Sequence, residues 1–456
     1  MRPLTTENRQ LTTPTDTIFA LATAPGRAGI AVLRLSGPEA GRALRALAGR
    51  LPAPRQATRA RFSDPRRGEV IDDGLMLFFP APRSFTGEDV AELQVHGGRA
   101  VVAALVEALA ALGLRPAEAG EFTRRAFENG KLDLTAAEGL ADLVAADTAA
   151  QRRQALRQLE GELGRLYEAW RARLLGALAQ LEAEIDFPEE GLPPALFARV
   201  TAAAAALREE IARHLADDRR GERLREGVAI AIIGPPNAGK SSLMNALARR
   251  DVAITAASAG TTRDVLEVAL DLGGYPVLLA DTAGLREAGD DVEAEGVRRA
   301  RARAEAADLR LVLLDATRPE EAAGLAGLID GNALVIANKI DLAPGDGARW
   351  ADELGAGPAL RLSVRTGEGM EGLLARLEAE IARRFAPGAA PVVTRARHRR
   401  ALEDCVAALD RFPAAGLPEL AAEDLRAATR ALGRITGRVD VEDMLDIIFR
   451  EFCIGK

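Results

Sequence analysis

The run "EGVAIAIIGPPNAGKSSLMNAL", Glu226 to Leu247, leaves little freedom in what this chain can fold into. An apolar, strand-like segment (Val228 to Ile233) leads into "GPPNAGKS", which satisfies G-x-x-x-x-G-K-[ST] in full. A helix-like segment, Ser242 to Ala248, follows at once. Strand, glycine loop and helix in that order make a phosphate-binding turn within a parallel α/β sheet. Gly234 and Gly239 let the backbone wrap a phosphate, with Asn237, Ala238, Gly239, Lys240, Ser241 and Ser242 lining the loop. Lys240 is expected to reach the outer phosphates and to act in catalysis, and Ser241 to ligate Mg²⁺.

Downstream motifs narrow the nucleotide. "AGTTRD" supplies Thr261 and Thr262, and Thr262 can offer a second hydroxyl to Mg²⁺. "DTAG" closes the strand-like "YPVLLADTAG"; Asp281 can act through a metal-bound water and the Gly284 amide can sense the terminal phosphate. "NKID" also ends a strand, placing Asn338, Lys339 and Asp341, whose carboxylate accepts from guanine N1–H and the exocyclic amine. Adenine has no such pair of donors. "LSVRTGEG", with Ser363, Val364 and Arg365, would back the base, Val364 standing where Ala is usual. In order and spacing these motifs resemble the translation-factor-related GTPases, so the expected ligand is GTP. Leu285 follows "DTAG" where many small GTPases carry a water-orienting Gln. Two other routes to hydrolysis are open: an arginine from a partner, or a cation at the same place with a distant acidic residue positioning the water.

The chain is long enough, at 456 residues, for two or three domains, and its alternation of patterns divides it into blocks. To about Lys131, short β-like runs ("GIAVLRLSG", "GLMLFFP", "VAELQVHGG") flank one helical pattern, Ala100 to Leu112, which reads as α+β or α/β. From Leu156, apolar residues recur at steps of three or four through Leu159, Leu163, Leu166, Trp170, Leu174, Leu178, Leu181 and Ile185. That is one long helical stripe, stopped at Pro188, with a second helix through Leu207, Ile211 and Leu215. An α/β block runs to about Phe385, and after the "APGAAP" linker the chain is helical again. The simplest architecture returns the C-terminal helices to the earlier helical block, with the α/β domain inserted between them.

Beyond the nucleotide motifs, "DTIFALATAPGRAGIAVLRLSG", "SFTGEDVAELQVHGG", "GEFTRRAFENGKLDLTAAEGLADLV", "IDFPEE" and "FCIGK" together resemble the MnmE (TrmE) family of tRNA-modification GTPases. The resemblance covers nearly the whole chain. It implies an α/β and α+β multidomain protein: an N-terminal α+β folate-binding and dimerisation domain (1–132), a discontinuous helical bundle (133–225 and 387–456) and an inserted Ras-like, doubly wound G domain (226–386). It implies a GTPase that, with the FAD-containing partner MnmG (GidA) in a heterotetramer, installs a carboxymethylaminomethyl-type group on the wobble uridine of certain tRNAs. The one-carbon unit would come from 5-formyl- or methylene-tetrahydrofolate.

Carried over residue by residue, the folate contacts would be Arg34, Glu92, Lys131 and the terminal Lys456. A carboxylate suits the amide and amine edge of a pterin, and lysine or arginine suits its glutamate tail. The resemblance also implies K⁺ held by Asn237, by the Ala256 and Ser258 carbonyls and by Thr261, with Glu293 positioning the water and assembly when two G domains meet in the homodimer. Taken singly, Arg34, Glu92 and Lys131 read as solvated charges, and Glu293 is as readily a helix-start glutamate as a water-positioning one; inside the matching motifs the functional reading prevails.

A GTP-switched ribosome or RNA assembly factor shares the nucleotide motifs but has no evident need for the N-terminal motifs or "FCIGK". A folate-dependent aminomethyl transferase with a regulatory G domain differs mainly in emphasis. The remaining signals are smaller. The net charge is −7, so nucleic acid would need a local basic patch, of which Arg395 to Arg400 ("RARHRR") is the densest, though a solvated helix face explains it equally well. His96 reads as a turn residue at a strand end, His214 as a helix-surface residue and Cys405 as core. With two cysteines there is no disulfide framework, no zinc spacing is present, and no signal-length or membrane-spanning apolar run appears, so the expectation is a cytoplasmic protein. The tail Phe452 to Lys456 is expected to reach the folate pocket and to bring Cys453 near the one-carbon group.

Overall fold

The computed structural model describes residues 16–186, 196–250, 252–254, 267–281, 302–343, 348–354, 358–386, 388, 390–412, 417–439, 442–450, 452 and 455. The chain forms two compact units, Met1–Ala141 with Gln158–Val200 and Arg411–Lys456, and Asp142–Arg157 with Thr201–Asp410.

The first unit contains a six-stranded sheet and helices. Strands β1 (Ile18–Leu21), β2 (Ala28–Ser36), β3 (Thr58–Ser63), β4 (Val70–Phe79), β5 (Val90–Gly97) and β6 (Arg115–Pro116) lie in the order β3-β4-β5-β2-β1-β6. All neighbours are antiparallel except β1 and β6. In β5 the burial alternates, Leu93 and Val95 facing the core while Glu92, Gln94 and His96 face the other way, the period of two that a half-covered sheet requires. Helices α1 (Ala40–Ala48) and α2 (Arg99–Ala111) cover the core face with Leu44, Leu47, Leu105 and Leu109. Helix α3 (Glu121–Glu128) seals the β1 end of the opposite face, where Phe122 packs with Ile18 and Ala20.

The long apolar stripe is two helices, α5 (Ala149–Leu159) and α6 (Glu162–Asp186), separated at Gly161, whose φ of 81° is the left-handed conformation in which a helix ends. A 3.6-residue pattern continues across such a break, so periodicity alone reads it as one helix. In α6, Leu163, Tyr167, Trp170, Leu174, Leu178 and Leu181 are buried, and α6 packs along α12 (Pro418–Thr436) through Ala421, Leu425, Leu432 and Ile435. Helix α4 (Leu134–Val144) and the last helix, α13 (Glu442–Arg450), share a core of Leu134, Ala137, Leu445, Ile448, Phe449 and Phe452.

The second unit is built on β7 (Val228–Ile233), β8 (Glu267–Leu272), β9 (Tyr275–Asp281), β10 (Leu309–Asp315), β11 (Ala333–Asn338) and β12 (Leu360–Arg361), in the order β12-β11-β10-β7-β9-β8. All are parallel except β8, which pairs antiparallel with β9. Every residue of β10 is buried, as expected of a strand covered on both faces. One face carries α9 (Lys240–Ala248) and α10 (Met370–Phe385) through Leu243, Leu247, Leu373, Leu377 and Ile381; the other packs Ala304, Ala322, Ala348 and Ala351.

Helix α8 (Arg220–Glu226) feeds directly into β7. It is held by α5, where Gln151 and Gln154 donate to the Arg225 and Gly221 carbonyls at 3.1 and 2.9 Å. The Ala150 amide donates to the Gly274 carbonyl (2.9 Å) in the β8–β9 turn. Helices α7 (Leu196–Leu215) and α11 (Ala396–Arg411) complete the helical part.

Candidate functional site

Strand β7 ends at Ile233, and the loop 234–239 turns over the N-terminus of α9. Two glycines are sterically required. A Cβ on Gly234 would collide with the Leu313 carbonyl of β10, and one on Gly239 (φ +104°) would lie 2.5 Å from the Asn338 side-chain nitrogen. Asn237 is exposed and left-handed (φ 63°), Ala238 is fully buried, and Ser241 and Ser242 are exposed on the first turn of α9. The Lys240 ammonium donates to the Gly234 and Pro235 carbonyls, each at 2.8 Å, so it lies inside the loop's curve. A helix N-terminus, a close backbone and an ammonium make a site for a polyphosphate.

Strand pairing brings the ends of β9, β10 and β11 to the same end of the sheet as this loop. Ile232 of β7 is in register with Asp281 of β9, and Asp315 of β10 with Asn338 of β11. Asn338 is buried and bridges two loops: its amide donates to the Ala238 carbonyl (2.7 Å) and its oxygen accepts from the Val364 amide (3.1 Å). Lys339, left-handed at φ 64°, pairs with Asp315 at 2.7 Å. The loop after β12 is closed on itself by Ser363 N to the Glu368 carbonyl (2.9 Å) and Thr366 N to Ser363 Oγ (3.2 Å). The Ser363 hydroxyl and, after it, the Arg365 guanidinium hold the Asp341 carboxyl below the usual carboxylate range, against the opposing pull of burial. Arg365 Nε and Nη2 donate to Asp341 Oδ2 at 3.1 and 2.5 Å. Thr261, Thr262, Ala256, Ser258, Gly284 and Glu293 lie outside the described residues, as does the Asp281 side chain.

In the first unit, Arg34 of β2 and Glu92 of β5 are direct cross-strand partners. Their side chains, each about one-fifth exposed, form an ion pair at 3.0 Å, and the Arg34 guanidinium lies 5.9 Å from the centre of the Phe85 ring. Lys131 donates to the Pro82 carbonyl at 3.0 Å, which places its ammonium against the loop that carries Phe85. Gly455 is buried with φ 98°, and a Cβ there would lie 2.5 Å from the Leu21 carbonyl at the end of β1. The chain's end therefore returns to the sheet that carries Arg34. Cys453 and Lys456 themselves lie outside the described residues.

Beneath the 80–89 loop is a network that the sequence reading did not pick out. Arg125 of α3, 1 % exposed, donates to Glu88 (3.3 Å), Glu121 (3.0 Å) and Asp16 (2.8 Å). Ser36 Oγ donates to Glu88 at 2.6 Å, and Asn129 donates to the Thr86 carbonyl at 2.7 Å. Burial works against the charge on Arg125, yet the adjacent carboxylates, Glu88 foremost, raise its pKa. The only local signal was Glu121 four residues before Arg125 on one helix face; the other partners are distant in sequence.

Other charged residues are used structurally. Arg395 pairs with Asp142 at 2.7 Å, Arg399 pairs with Asp217 and Glu222, and His398 is fully buried, so half of "RARHRR" is not a solvated face. His214 is half-buried, and burial lowers its pKa. His96 is exposed on β5 with its Nδ1 2.9 Å from Asp72. Burial pushes the Cys405 thiol up to about 12, as for a core residue.

Two family models match this chain: "GTP-binding protein TrmE N-terminus" over residues 17–131 and "MnmE helical domain" over residues 134–453. Among curated proteins it is 60% identical to the tRNA modification GTPase MnmE of Parvibaculum lavamentivorans, over 97% of this chain and 100% of that one. The proteins of the same name from Paramagnetospirillum magneticum and Rhodospirillum rubrum are 59% and 58% identical, over 97% of this chain and 100% and 99% of theirs.

Proposed function

The chain belongs to the MnmE (TrmE) family and is a tRNA modification GTPase, and from that premise we propose how its residues divide the work. The observation that carries the reading is the bridge made by Asn338, which ties the phosphate loop to the base loop. GTP binds with its phosphates on the 237–242 amides and Lys240, and with guanine on Asp341. Asn338, Lys339, Ser363, Val364 and Arg365 form the base end of the site. Mg²⁺ is held by the Ser241 and Thr262 hydroxyls and the nucleotide, and Asp281 acts through a water. A tight glycine cradle and an exposed hydroxyl on the first turn of α9 are the features such a metal–phosphate unit needs.

Hydrolysis without a glutamine after "DTAG" is assigned to K⁺, held by Asn237, Thr261 and the Ala256 and Ser258 carbonyls, with Glu293 positioning the water. The exposed, left-handed Asn237 at the loop's mouth supports this, since its side-chain oxygen is free of the core. K⁺ bound there would supply positive charge to offset the negative charge that develops on the phosphates during hydrolysis. GTP turnover should rise with K⁺ and not with Na⁺; equal rates in the two salts would refute the assignment.

The second site takes a tetrahydrofolate one-carbon carrier. Glu92 can accept from the pterin edge, Arg34 and Lys131 offer cations for a carboxylate tail, and Phe85 offers an apolar face. Lys456 and Cys453 are assigned to this site as the chain neighbours of Gly455, which is anchored against the Leu21 carbonyl. Calorimetry with 5-formyltetrahydrofolate should show binding that Lys131→Ala weakens; no heat with the wild type would refute it. We assign the N-terminal domain to 1–132, the G domain to 226–386 and the helical domain to 133–225 and 387–456. A homodimer fits the open face of the first sheet, where Ile30 and Leu75 are 61% and 39% exposed. The FAD-containing MnmG, in a heterotetramer, completes the chemistry on the wobble uridine.

A further inference from the structure

We infer that Arg365 is an internal competitor of guanine for Asp341, so that the base must displace the chain's own guanidinium to bind. The inference rests on the nucleotide site proposed above and goes beyond it by giving Arg365 the opposite sign to a base-supporting residue.

The Watson–Crick donor edge of guanine, N1–H, C2 and the 2-amino group, is a cyclic guanidine. The Nε–H, Cζ and Nη2 edge of arginine is its open-chain equivalent, and carboxylates accept both as a forked pair. In the structure that edge of Arg365 is already on Asp341: Nε and Nη2 both reach Oδ2, at 3.1 and 2.5 Å. Guanine needs one acceptor oxygen for each of its two donors, and Oδ2 is the one Arg365 holds.

The geometry lets the exchange happen without moving the loop. Asp341 is 11% exposed and fixed, whereas Arg365 is 76% exposed and free to swing into solvent. The backbone beneath it is held independently, by Val364 N on Asn338 (3.1 Å), Ser363 N on the Glu368 carbonyl and Gly367 N on the Ser363 carbonyl (2.9 Å each). Only a side chain has to turn. Adenine lacks the two donors and cannot make the displacement.

An exposed arginine–carboxylate pair of this kind is worth a factor of about two to five in an equilibrium. The test uses the full-length protein, with GDP binding followed by calorimetry and by stopped-flow. Arg365→Ala should tighten GDP by about two- to five-fold, with the gain shrinking as added salt screens the pair in the wild type. In an Asp341→Asn background, read with xanthosine diphosphate, Arg365→Ala should change nothing, because no carboxylate remains to compete for. GDP affinity that is unchanged or weaker in Arg365→Ala would overturn the inference, as would the same gain in the Asp341→Asn background. Wild-type protein that binds no GDP would instead remove the nucleotide reading itself.

Discussion

Asn338→Ala is the sharpest perturbation of the nucleotide site. Asn338 is 3% exposed, and its two hydrogen bonds, 2.7 Å to the Ala238 carbonyl and 3.1 Å from the Val364 amide, are the described side-chain link between the phosphate loop and the base loop. The alanine variant removes both hydrogen bonds and leaves the Ala238 carbonyl, on a fully buried residue, without its donor. Two net hydrogen bonds at about 1 kcal/mol each, plus part of the desolvation cost of the orphaned groups, give about 2–4 kcal/mol. If that loss falls on the arrangement that binds nucleotide, GDP affinity drops by roughly 30- to 700-fold at about 1.4 kcal/mol per decade. Asn338→Asp keeps an acceptor for Val364 but removes the donor to Ala238, and should also be weak. Calorimetry with GDP, beside a thermal melt to confirm folding, reads the effect. A folded Asn338→Ala protein whose GDP affinity lies within three-fold of wild type would refute the brace.

Three further outcomes are expected. Gly455→Ala places a Cβ 2.5 Å from the Leu21 carbonyl at φ 98°, so the tail should detach; tRNA modification should fall ten-fold or more while GTP turnover stays within two-fold, measured on purified protein and on tRNA from a complemented strain. Cys405, pushed up to about 12 by burial, should resist iodoacetamide in the native protein at pH 8, so a Cys453→Ser variant should take no label until unfolded. The Arg383 and Arg384 guanidiniums lower the Glu380 carboxyl from 4.5 to about 2, so its stabilisation is fully present above pH 4.5 and lost as pH falls through about 2; Glu380→Gln should flatten that part of the acid-unfolding curve and lower stability at neutral pH.

Local chemistry made part of this molecule legible in its sequence. The strand, loop and helix around Lys240 could be read because the steric demand on Gly234 and Gly239 and the hydroxyl of Ser241 belong to one short segment. The apolar stripes of α6 and α12 were legible for the same reason, since periodicity is local. What escaped depends on strands and helices far apart in sequence. Apart from Glu121, nothing in the local sequence singles out Arg125, yet three carboxylates, Asp16, Glu88 and Glu121, converge on it. Arg395 and Arg399 looked like a basic run, but Asp142, Asp217 and Glu222 from other helices and their flanks take them up. Asn338 was placed at the base, whereas its role as a bridge follows from the alignment of β10 with β11 and the return of the 363–368 loop. The long helical stripe missed its break because Gly161 interrupts the backbone without interrupting the pattern.

The central claim is that GTP turnover at Lys240 serves the modification of tRNA. It is tested most directly by nucleoside analysis of tRNA from a strain lacking this protein, complemented with the wild type or with Lys240→Ala. The account predicts that the carboxymethylaminomethyl-type wobble uridine disappears on deletion, returns with the wild type and stays absent with Lys240→Ala. An unchanged nucleoside profile in the deletion strain, or full restoration by Lys240→Ala, would contradict it.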